Sequence, residues 1–439
     1  MKLALGYIIS SVIACTAGTA IQPSSQRFLS QGYPYSDGNQ KGTVTWDGYS
    51  LSINGQRIFL WSGEFHPWRL PVVHKWRDVL EKIKATGMNA ISVYIHWGLT
   101  NPAPGVFDFN GYRALDPLFE MAMEIGIWIV LRPGPYINAE TTAGGIPHWV
   151  TSHVSGHLRT NDTTYYNAWR PYIDKVAELA APHQITRGGP IIAVQLENEY
   201  VDRDDVGYPG KREMMEDLKT AVRSGGIEVP LTINDAYMGA NYVNGTGSGD
   251  IYGFDSYPQG FDCAHPGHWQ PVIEKYAKFH RQANPHQPLY IPEFQGGAYD
   301  AWGPGAPGYE ACASLTNNEF ESVFHLALLA NNAKMINVYM IYGGTSWGHL
   351  PFPGVYTSYD YGAAISENRD IRVEKYAEIK RQGLFLRSVP DFYKTDIMPD
   401  TAWEIELTPG SSPVALTLLQ NPDTKSGFFI ARHKDSTHR

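Results

Sequence analysis

The sequence contains few cysteines, no basic run and, after its first 20 residues, no long apolar run. Three of its 439 residues are cysteine, and the formal net charge at pH 7 is −9. The lack of a basic run leaves nucleic-acid binding without electrostatic support. No later apolar run reaches the roughly 18 residues that a membrane span needs, so we expect no membrane-embedded segment.

Motifs for a metal, a phosphate group or a serine nucleophile are also missing. His265, His268 and His280 lack the spacing and the companion residues of a zinc site. No glycine-rich phosphate loop follows the first predicted strand. The sequence around Ser248 lacks the context of a nucleophile elbow. We therefore expect neither a metal ion nor a cofactor.

Residues 1–20 have the pattern of a signal peptide. Lys2 supplies the positive charge, residues 3–14 are apolar, and residues 17–20 are small enough for cleavage. We therefore expect a secreted, extracellular protein. Cys15 would leave with the signal, and Cys263 and Cys312 remain as an even pair in an oxidising compartment. Asn161 and Asn244 begin N-glycosylation sequons, which that compartment would permit.

From about residue 57 the sequence alternates between strand-like and helix-like segments. Eight strand candidates, mostly followed by helices, predict an α/β fold with a parallel sheet, and their number favours a (β/α)8 TIM barrel. A doubly wound sheet is the alternative, and the missing phosphate loop argues against it. The predicted strands are Ile58–Ser62, Ala90–Trp97, Ile127–Leu131, Ile191–Leu196, Val229–Ile233, Ile251–Phe254, Leu289–Ile291 and Met335–Tyr342.

The helical pattern lies between these strands. Asp116 is a plausible N-cap of the second helix, and Gly126 lies just past its end. The predicted helices are Val72–Thr86, Pro117–Glu124, Trp169–Ala181, Lys211–Arg223, Val272–Gln282, Glu319–Asn331 and Val373–Leu386.

The predicted organisation has four parts. A signal peptide (1–20) and a polar lead-in segment (21–44) precede the barrel (45–390), and residues 391–439 begin an all-β domain. Three strand-like runs separated by prolines, at 403–407, 414–419 and 427–432, indicate that last part. Three strands are few for an independent sandwich, so we expect either that the chain is truncated or that these strands pack on the barrel.

Two glutamates, Glu199 and Glu293, end strand-like runs at the fourth and seventh predicted strands. A retaining glycosidase needs two carboxyl groups that face one small space, one as proton donor and one as nucleophile, roughly 5–5.5 Å apart. A separation of roughly 7–9 Å would indicate inversion instead. The pattern leaves open whether Glu197 or Glu199 faces the site, although the terminal position favours Glu199. For both Glu199 and Glu293 the alternative is a carboxylate paired with a basic side chain.

Polar residues near two other strand ends are further candidates. Asn138 and Glu140 follow a Gly-Pro turn after the third strand and could hydrogen-bond sugar hydroxyls, while Arg132 could orient an active-site carboxylate. The alternative for Glu140 is an ion pair with Arg132 or another cation. Glu64 and His66, at the end of the first strand, either form the floor of the site or only secure the barrel.

Several stretches together resemble glycoside hydrolase family 35, in particular its large secreted fungal members. The resemblance extends from about residue 40 to the end, although the fungal members continue through further β-domains. The matching stretches are Trp61–Arg69, Ala90–Trp97, Arg132–Gly145, Gln195–Tyr200, Pro292–Gly297, Tyr339–Trp347 and Tyr356–Ile365.

The resemblance implies a retaining, exo-acting hydrolase of terminal β-D-galactosyl groups, with a β-galactoside as its substrate. Matched by motif, Glu199 is the proton donor, Glu293 is the nucleophile, and Cys263 and Cys312 form a disulfide. We also expect a monomer. The galactose-binding positions are Tyr94, Asn138, Ala139, Glu140, Asn198, Tyr257 and Tyr361, with Tyr359 as the alternative to Tyr361. A barrel glycosidase of other sugar specificity and a galactoside-binding pseudoenzyme are the other hypotheses.

Overall fold

The computed structural model describes residues 43–202, 208–303, 305–398, 403–405 and 413–437. The predicted signal peptide and nearly all of the predicted lead-in segment lie outside the described residues. The strands are β1 Val44–Trp46, β2 Leu51–Ile53, β3 Gln56–Ile58, β4 Leu60–Phe65, β5 Ala90–Tyr94, β6 Trp128–Arg132, β7 Ile191–Gln195, β8 Leu231–Asp235, β9 Ile251–Phe254, β10 Tyr290–Gln295, β11 Met335–Tyr342, β12 Asp396–Ile397, β13 Trp403–Ile405, β14 Val414–Gln420 and β15 Gly427–His433.

Helices alternate with the central strands. The α-helices are α1 Trp76–Ala85, α2 Trp97–Thr100, α3 Asp116–Ile125, α4 His148–His153, α5 Thr163–Ala180, α6 Lys211–Ser224, α7 Tyr276–Ala283, α8 Tyr309–Leu315, α9 Asn318–Ala330 and α10 Val373–Ser388. In the described part of the chain, no helix is both long and apolar enough to cross a membrane.

The eight strands β4 to β11 form a closed barrel, in which each strand pairs in parallel with the next and β11 pairs with β4. Every residue of these strands is buried, because helices cover the barrel outside and side chains fill it inside. The predicted (β/α)8 barrel is therefore confirmed, and the doubly wound alternative is wrong. All carboxyl ends of the strands meet at one rim, where side chains from different strands can converge.

The first predicted strand began too early. Ile58 ends β3, which pairs antiparallel with β2 and, through it, with β1 in a small separate sheet. The turn between β2 and β3 is Asn54-Gly55, with positive φ at both residues (52° and 76°). That dipeptide is a strong hairpin signal, and the hairpin assigns Ile58 to β3 rather than to the first barrel strand.

One predicted helix cap is wrong and one helix end is confirmed. Asp116 is already inside α3, whose N-cap position is Leu115 with no side-chain cap. The Asp116 carboxylate instead lies 3.2 Å from His183 Nε2. At the other end, Gly126 adopts φ 75° and terminates the helix as predicted. Helix α5 starts well before the predicted Trp169, because the Asp162 side chain caps the amides of Thr164 and Tyr165.

The described C-terminal strands form an antiparallel sheet in which β14 pairs with β12, β13 and β15. Its buried side chains Phe428 and Ile430 face the rest of the protein. The ring of Phe428 packs edge-on against Phe392 at a centroid distance of 5.3 Å, and Phe392 in turn meets Phe385 of α10 at 5.9 Å. Ser436 Oγ accepts a hydrogen bond from the amide of Val272, at 2.9 Å. The β-rich segment thus packs on the barrel domain, which is one of the two arrangements expected from the sequence.

A disulfide joins Cys263, in the loop after β9, to Cys312 in α8. The pairing that the resemblance implied is therefore present in the structure. Because the loop after β9 also carries Tyr257 and Phe261, the bridge ties a segment near the rim of the barrel to an outer helix.

Candidate active site

A cavity of about 380 Å³ lies where the carboxyl ends of the barrel strands meet. Its lining residues come from β10, from β11 and from the segments that follow each of the strands β6 to β11. Seven of the predicted site residues are among them: Asn138, Ala139, Glu140, Asn198, Glu199, Tyr257 and Glu293. The volume falls in the range of small-molecule sites and is adequate for one sugar ring.

The backbone after β7 decides between Glu197 and Glu199. The strand ends at Gln195, and both glutamates have positive φ (56° and 44°), so strand alternation does not continue. The Glu197 carboxylate turns away from the cavity and pairs with Arg159 Nη2 at 2.7 Å. It also accepts a hydrogen bond from the amide of Tyr136 at 3.3 Å. Glu199 is the one of the pair that lines the cavity.

Arg159 is a supporting residue that sequence reasoning missed. Besides Glu197, its guanidinium binds the carbonyl of Asn198 at 2.6 Å. It lies over the ring of Tyr136 at 3.9 Å and that of Tyr200 at 4.6 Å. Arg159 thereby fixes the loop that presents Asn198 and Glu199. Its neighbourhood in the sequence gives no signal for this role.

The Glu199 carboxyl is held in its neutral form at neutral pH. Burial raises its pKa to about 8, and the negative charges of Glu293 and Glu140 add to the effect. Arg132 and Arg159 oppose the shift without cancelling it. A carboxyl that keeps its proton in the free protein can deliver it to a departing oxygen.

Glu293, on β10, is 5% exposed, and each oxygen of its carboxylate accepts from at least one basic or hydroxyl donor. Arg132 Nη2 forms an ion pair with Oε1. The Tyr94 hydroxyl also donates to Oε1, at 2.9 Å, and the Tyr257 hydroxyl donates to Oε2. Such donors satisfy a charged carboxylate and hold it in one orientation. Glu293 and Glu199 therefore have opposite surroundings within one cavity.

Arg132 links Glu293 to a second buried carboxylate, Glu64. Glu64 Oε2 accepts from Arg132 Nη1 at 3.0 Å and from Asn337 Nδ2 at 2.8 Å. Burial raises the pKa of Glu64, but Arg132 and His66 outweigh this effect and the net pKa is lowered. Glu64 and His66 are fully buried and are not among the cavity-lining residues described. They support the site from below, and Arg132 pairs with Glu64 and Glu293 rather than with Glu140.

The turn after β6 carries three consecutive residues with positive φ: Asn138 (51°), Ala139 (51°) and Glu140 (46°). Burial raises the pKa of Glu140 to about 7, while the hydrogen bond from the Tyr359 hydroxyl and the charge of Arg69 lower it. Tyr359 is therefore the member of the Tyr359/Tyr361 pair that binds a site carboxyl. The ring of Tyr361 packs on Tyr359 at 5.1 Å. Among the described residues, Tyr94, Tyr359 and Tyr361 are not part of the cavity lining.

The amide of Asn198 is oriented by its neighbours. Its Oδ1 accepts from Asn234 Nδ2 at 2.8 Å and from Arg132 Nη2 at 3.4 Å, and it shares the single proton of the Tyr94 hydroxyl with Glu293 Oε1. The oxygen is thus fully engaged, which leaves the amide NH2 as the group that Asn198 can offer to a ligand.

Several cavity residues lie in loops that no sequence pattern connects. Phe261 stacks on Tyr299 at 4.6 Å, and Tyr299 meets Phe352 edge-on at 6.3 Å. These rings form an aromatic wall that suits the C–H face of a sugar. Tyr339, in β11, also lines the cavity. Within the described residues, no group of three or more His, Cys, Asp or Glu side chains is placed to hold a metal ion.

A closed parallel barrel with carboxyl groups at its fourth and seventh strands defines a (β/α)8-barrel protein with a site of the glycoside-hydrolase type. The chain belongs to the glycosyl hydrolases family 35, whose sequence profile matches residues 50–384.

Two fungal relatives are similar to nearly the whole chain. Beta-galactosidase A of Penicillium sp is 41% identical over 450 residues, which cover 99% of this chain and 43% of the relative. Beta-galactosidase of Aspergillus niger is 41% identical over 447 residues, with 99% and 43% covered. The chain thus spans less than half the length of these curated relatives.

Solved structures share the fold at low sequence identity. The beta-galactosidase from Bacillus circulans sp. alkalophilus has a TM-score of 0.55 at 15% identity, covering 76% of this chain and 57% of that chain. The GH5_18 protein from Streptomyces cattleya in complex with GlcNAc has a TM-score of 0.53 at 14% identity, covering 74% and 80%. These likenesses support the barrel fold alone.

Proposed function

We propose that this protein is a retaining β-galactosidase that removes terminal β-D-galactosyl residues through a galactosyl-enzyme. The observation that carries the proposal is the pair of carboxyls in one cavity with opposite surroundings. Glu199 is half-buried, and desolvation raises its pKa to about 8, whereas Glu293 is paired with Arg132. The names of the 41%-identical relatives support galactose as the sugar.

In the first step, a Glu293 oxygen attacks the anomeric carbon while the glycosidic C–O bond breaks. Glu199 gives its proton to the departing oxygen, and an ester forms between the sugar and Glu293. The Arg132 and tyrosine donors hold Glu293 in line for this attack. Because Glu199 loses its proton as Glu293 loses its charge, one of these two glutamates is an ionised carboxylate at each stage.

In the second step, the Glu199 carboxylate takes a proton from a water molecule. The water oxygen attacks the anomeric carbon, the ester bond breaks, and Glu293 leaves as a carboxylate. Two inversions at the same carbon give net retention. We therefore expect the two carboxyls to lie roughly 5–5.5 Å apart.

The remaining predicted residues bind and orient the sugar in this proposal. The amide NH2 of Asn198, the turn 138–140 and the carboxyl of Glu140 face the cavity and hydrogen-bond sugar hydroxyls. Tyr257 contacts both the cavity and Glu293. Tyr94 acts on Asn198 and Glu293, and Tyr361 acts through the aromatic cluster behind Glu140.

The roles of the two glutamates are separable with azide. Glu293→Gln should abolish turnover of an aryl β-galactoside, and Glu293→Ala with azide should give the inverted α-galactosyl azide. Glu199→Ala should keep activity on a dinitrophenyl β-galactoside and yield the β-galactosyl azide, which Glu199→Gln should also yield with an activated leaving group. Glu81→Gln, on the exposed face of α1, is the matched control and should behave as the parent. Unchanged turnover in Glu293→Gln, or no rescue of the Glu199 variants, would refute these assignments.

Two other functions make different predictions for the same protein. A barrel glycosidase of other specificity would cleave an aryl β-glucoside or β-mannoside faster than the galactoside in a panel of substrates. A galactoside-binding pseudoenzyme would bind galactose in a calorimeter and release no aglycone.

We also propose secretion, with N-glycosylation at Asn161 and Asn244. Both asparagines are exposed in the structure, as a glycosylation site requires. Treatment with an N-glycan-cleaving amidase should lower the mass and convert each residue to Asp. Unmodified asparagines in the secreted protein would contradict the assignment.

The division into a barrel (45–390) and the first part of a β-rich domain (391–439) is proposed as well. The sheet of β12 to β15 has its own strand pairing, separate from the barrel strands. Limited proteolysis should cut first near residue 390, while cuts confined to the barrel loops would argue against this boundary.

A monomer is expected, and light scattering on the protein as it elutes from a sizing column tests this expectation.

A further inference from the structure

Arg69 is a buried cation with no direct place in the proposed reaction. It lies at the end of a 3-10 helix, Pro67–Arg69, just after β4, and is 1% exposed. Its guanidinium donates from Nε to Ser346 Oγ at 3.0 Å and from Nη2 to the carbonyl of Ala139. It also lies over the ring of Tyr359, 3.4 Å from the centroid. Each of these contacts reaches a segment distant in the sequence.

Two of the contacts hold the turn 138–140. Three adjacent non-glycine residues with positive φ form a conformation that persists only where the surroundings fix it. Arg69 binds the backbone of the middle residue, Ala139. Through the ring of Tyr359, whose hydroxyl donates to the Glu140 carboxyl, Arg69 also fixes the side chain of Glu140.

A fourth contact, with His66, leads to the nucleophile. Arg69 Nη1 lies 2.7 Å from His66 Nδ1, and because a guanidinium only donates, Nδ1 must be the accepting nitrogen. His66 Nε2 therefore carries the hydrogen and donates to Glu64 Oε1 at 3.2 Å. Glu64 binds Arg132, and Arg132 binds Glu293. The chain of contacts is continuous and buried at every member.

We propose that Arg69 is a positioning residue that holds the sugar-recognition turn 138–140 and, through His66, Glu64 and Arg132, the nucleophile Glu293 in one fixed relative geometry. The assignment rests on the proposed function, because it gives the turn a role in reading the hydroxyls of the substrate. This role requires a planar guanidinium that donates hydrogen bonds in three directions and stacks on an aromatic ring. The ammonium group of lysine provides neither property.

The test compares Arg69→Met and Arg69→Lys with the parent on aryl β-galactoside and its C4 epimer, aryl β-glucoside. A displaced turn weakens the recognition of hydroxyl stereochemistry. We therefore expect the ratio of kcat/KM values, galactoside over glucoside, to fall at least about tenfold in Arg69→Met. The ratio for Arg69→Lys should lie between those of the parent and Arg69→Met. We expect kcat on the galactoside to fall together with the ratio, because the nucleophile is displaced as well.

The matched control is Arg223→Met, at the opposite end of the barrel. Like Arg69, Arg223 binds groups outside its own helix: the backbone carbonyls of Ile227 at 2.9 Å and Val229 at 2.8 Å, and the carboxylate of Asp250 at 2.6 Å. We expect it to lower thermal stability and leave the substrate ratio unchanged. Should Arg69→Met fail to fold, Ser346→Ala removes one acceptor of the guanidinium and should lower the ratio by a smaller factor.

The outcomes separate this inference from the proposed function. A parent that cleaves the galactoside, with an unchanged ratio in all Arg69 and Ser346 variants that fold, overturns the positioning role. A parent that cleaves no galactoside refutes the proposed function instead. In that case a crystal structure of Arg69→Lys decides: a displaced turn 138–140 supports the positioning role, and an unmoved turn overturns it.

Discussion

At the scale of single residues, the proton on Glu199 controls the proposed chemistry. Burial and two neighbouring carboxylates raise its pKa to about 8, so the acid is present below that pH and is lost as the pH rises through it. We expect kcat/KM for an aryl β-galactoside to fall above about pH 8. Glu140, whose pKa lies at about 7, broadens the transition because its charge acts on Glu199.

Replacing Glu199 tests whether this residue causes the fall of kcat/KM at alkaline pH, the alkaline limb of the profile. In Glu199→Ala, measured with a dinitrophenyl galactoside that needs no acid, kcat/KM should no longer fall in the same region. The pH dependence of the parent on an aryl β-galactoside that needs the acid is the reference. An alkaline limb that persists unchanged in Glu199→Ala would assign it to another group.

The choice between neighbouring residues also belongs to this scale. The sequence identified an Asn-Glu pair after β7, but Glu197 and Glu199 have the same side chain and similar neighbours. Arg159, from a segment 38 residues away in the sequence, binds Glu197 and leaves Glu199 for the cavity. No local pattern contains that partner.

At the scale of secondary-structure elements, α10 packs on the end of α1 through a glycine. A Cβ added to Gly383 would lie 2.1 Å from the carbonyl of Thr86 and 3.0 Å from the Cα of Gly87. Alanine at position 383 would improve helix propensity by about 1 kcal/mol. The clash with backbone atoms, which cannot move cheaply, should cost more.

We therefore expect Gly383→Ala to lower the free energy of unfolding by roughly 1–2 kcal/mol despite its higher helix propensity. Lys380→Ala, on the exposed face of the same helix, is the control and should change stability little. Thermal and denaturant unfolding of the two variants measure both effects. A Gly383→Ala protein more stable than the parent would show that the two helices separate at little cost.

The predicted boundaries of strands and helices are accurate where a local sequence signal was used to place them. Met335–Tyr342 and Ile251–Phe254 match the predicted strands to the residue. The hairpin at Asn54-Gly55 and the Asp162 cap were present in the sequence and explain the wrong starts predicted for the first barrel strand and for α5. Asp116 failed as a cap because α3 starts one residue earlier, where Leu115 takes the capping position.

At the scale of the whole molecule, the Cys263–Cys312 disulfide closes a loop across 49 residues of the sequence. Replacing both cysteines by alanine should lower the free energy of unfolding by roughly 2–4 kcal/mol, because the unfolded chain gains conformational freedom. The loop after β9, which carries Phe261 of the cavity wall, should also become more mobile.

A fall in Tm of the double variant, together with a higher KM for the galactoside, checks this expectation. Reducing agent added to the parent should shift Tm by the same amount and leave the double variant unaffected. Equal Tm values for the oxidised parent and the variant would show that the bridge contributes nothing to stability.

The sequence by itself determined the barrel, the residue types of the site and their place at strand ends. These follow from local periodicity and from the rule that parallel strands end at one rim. Tertiary structure alone decided which carboxyl keeps its proton, that Glu197 turns outward, and that Tyr359 holds Glu140. The physical reason is that each depends on contacts between distant residues, such as Arg132 with Glu293 at a separation of 161 and Tyr359 with Glu140 at 219. Burial and charge at a site are sums over such contacts, and no local stretch of the sequence contains them.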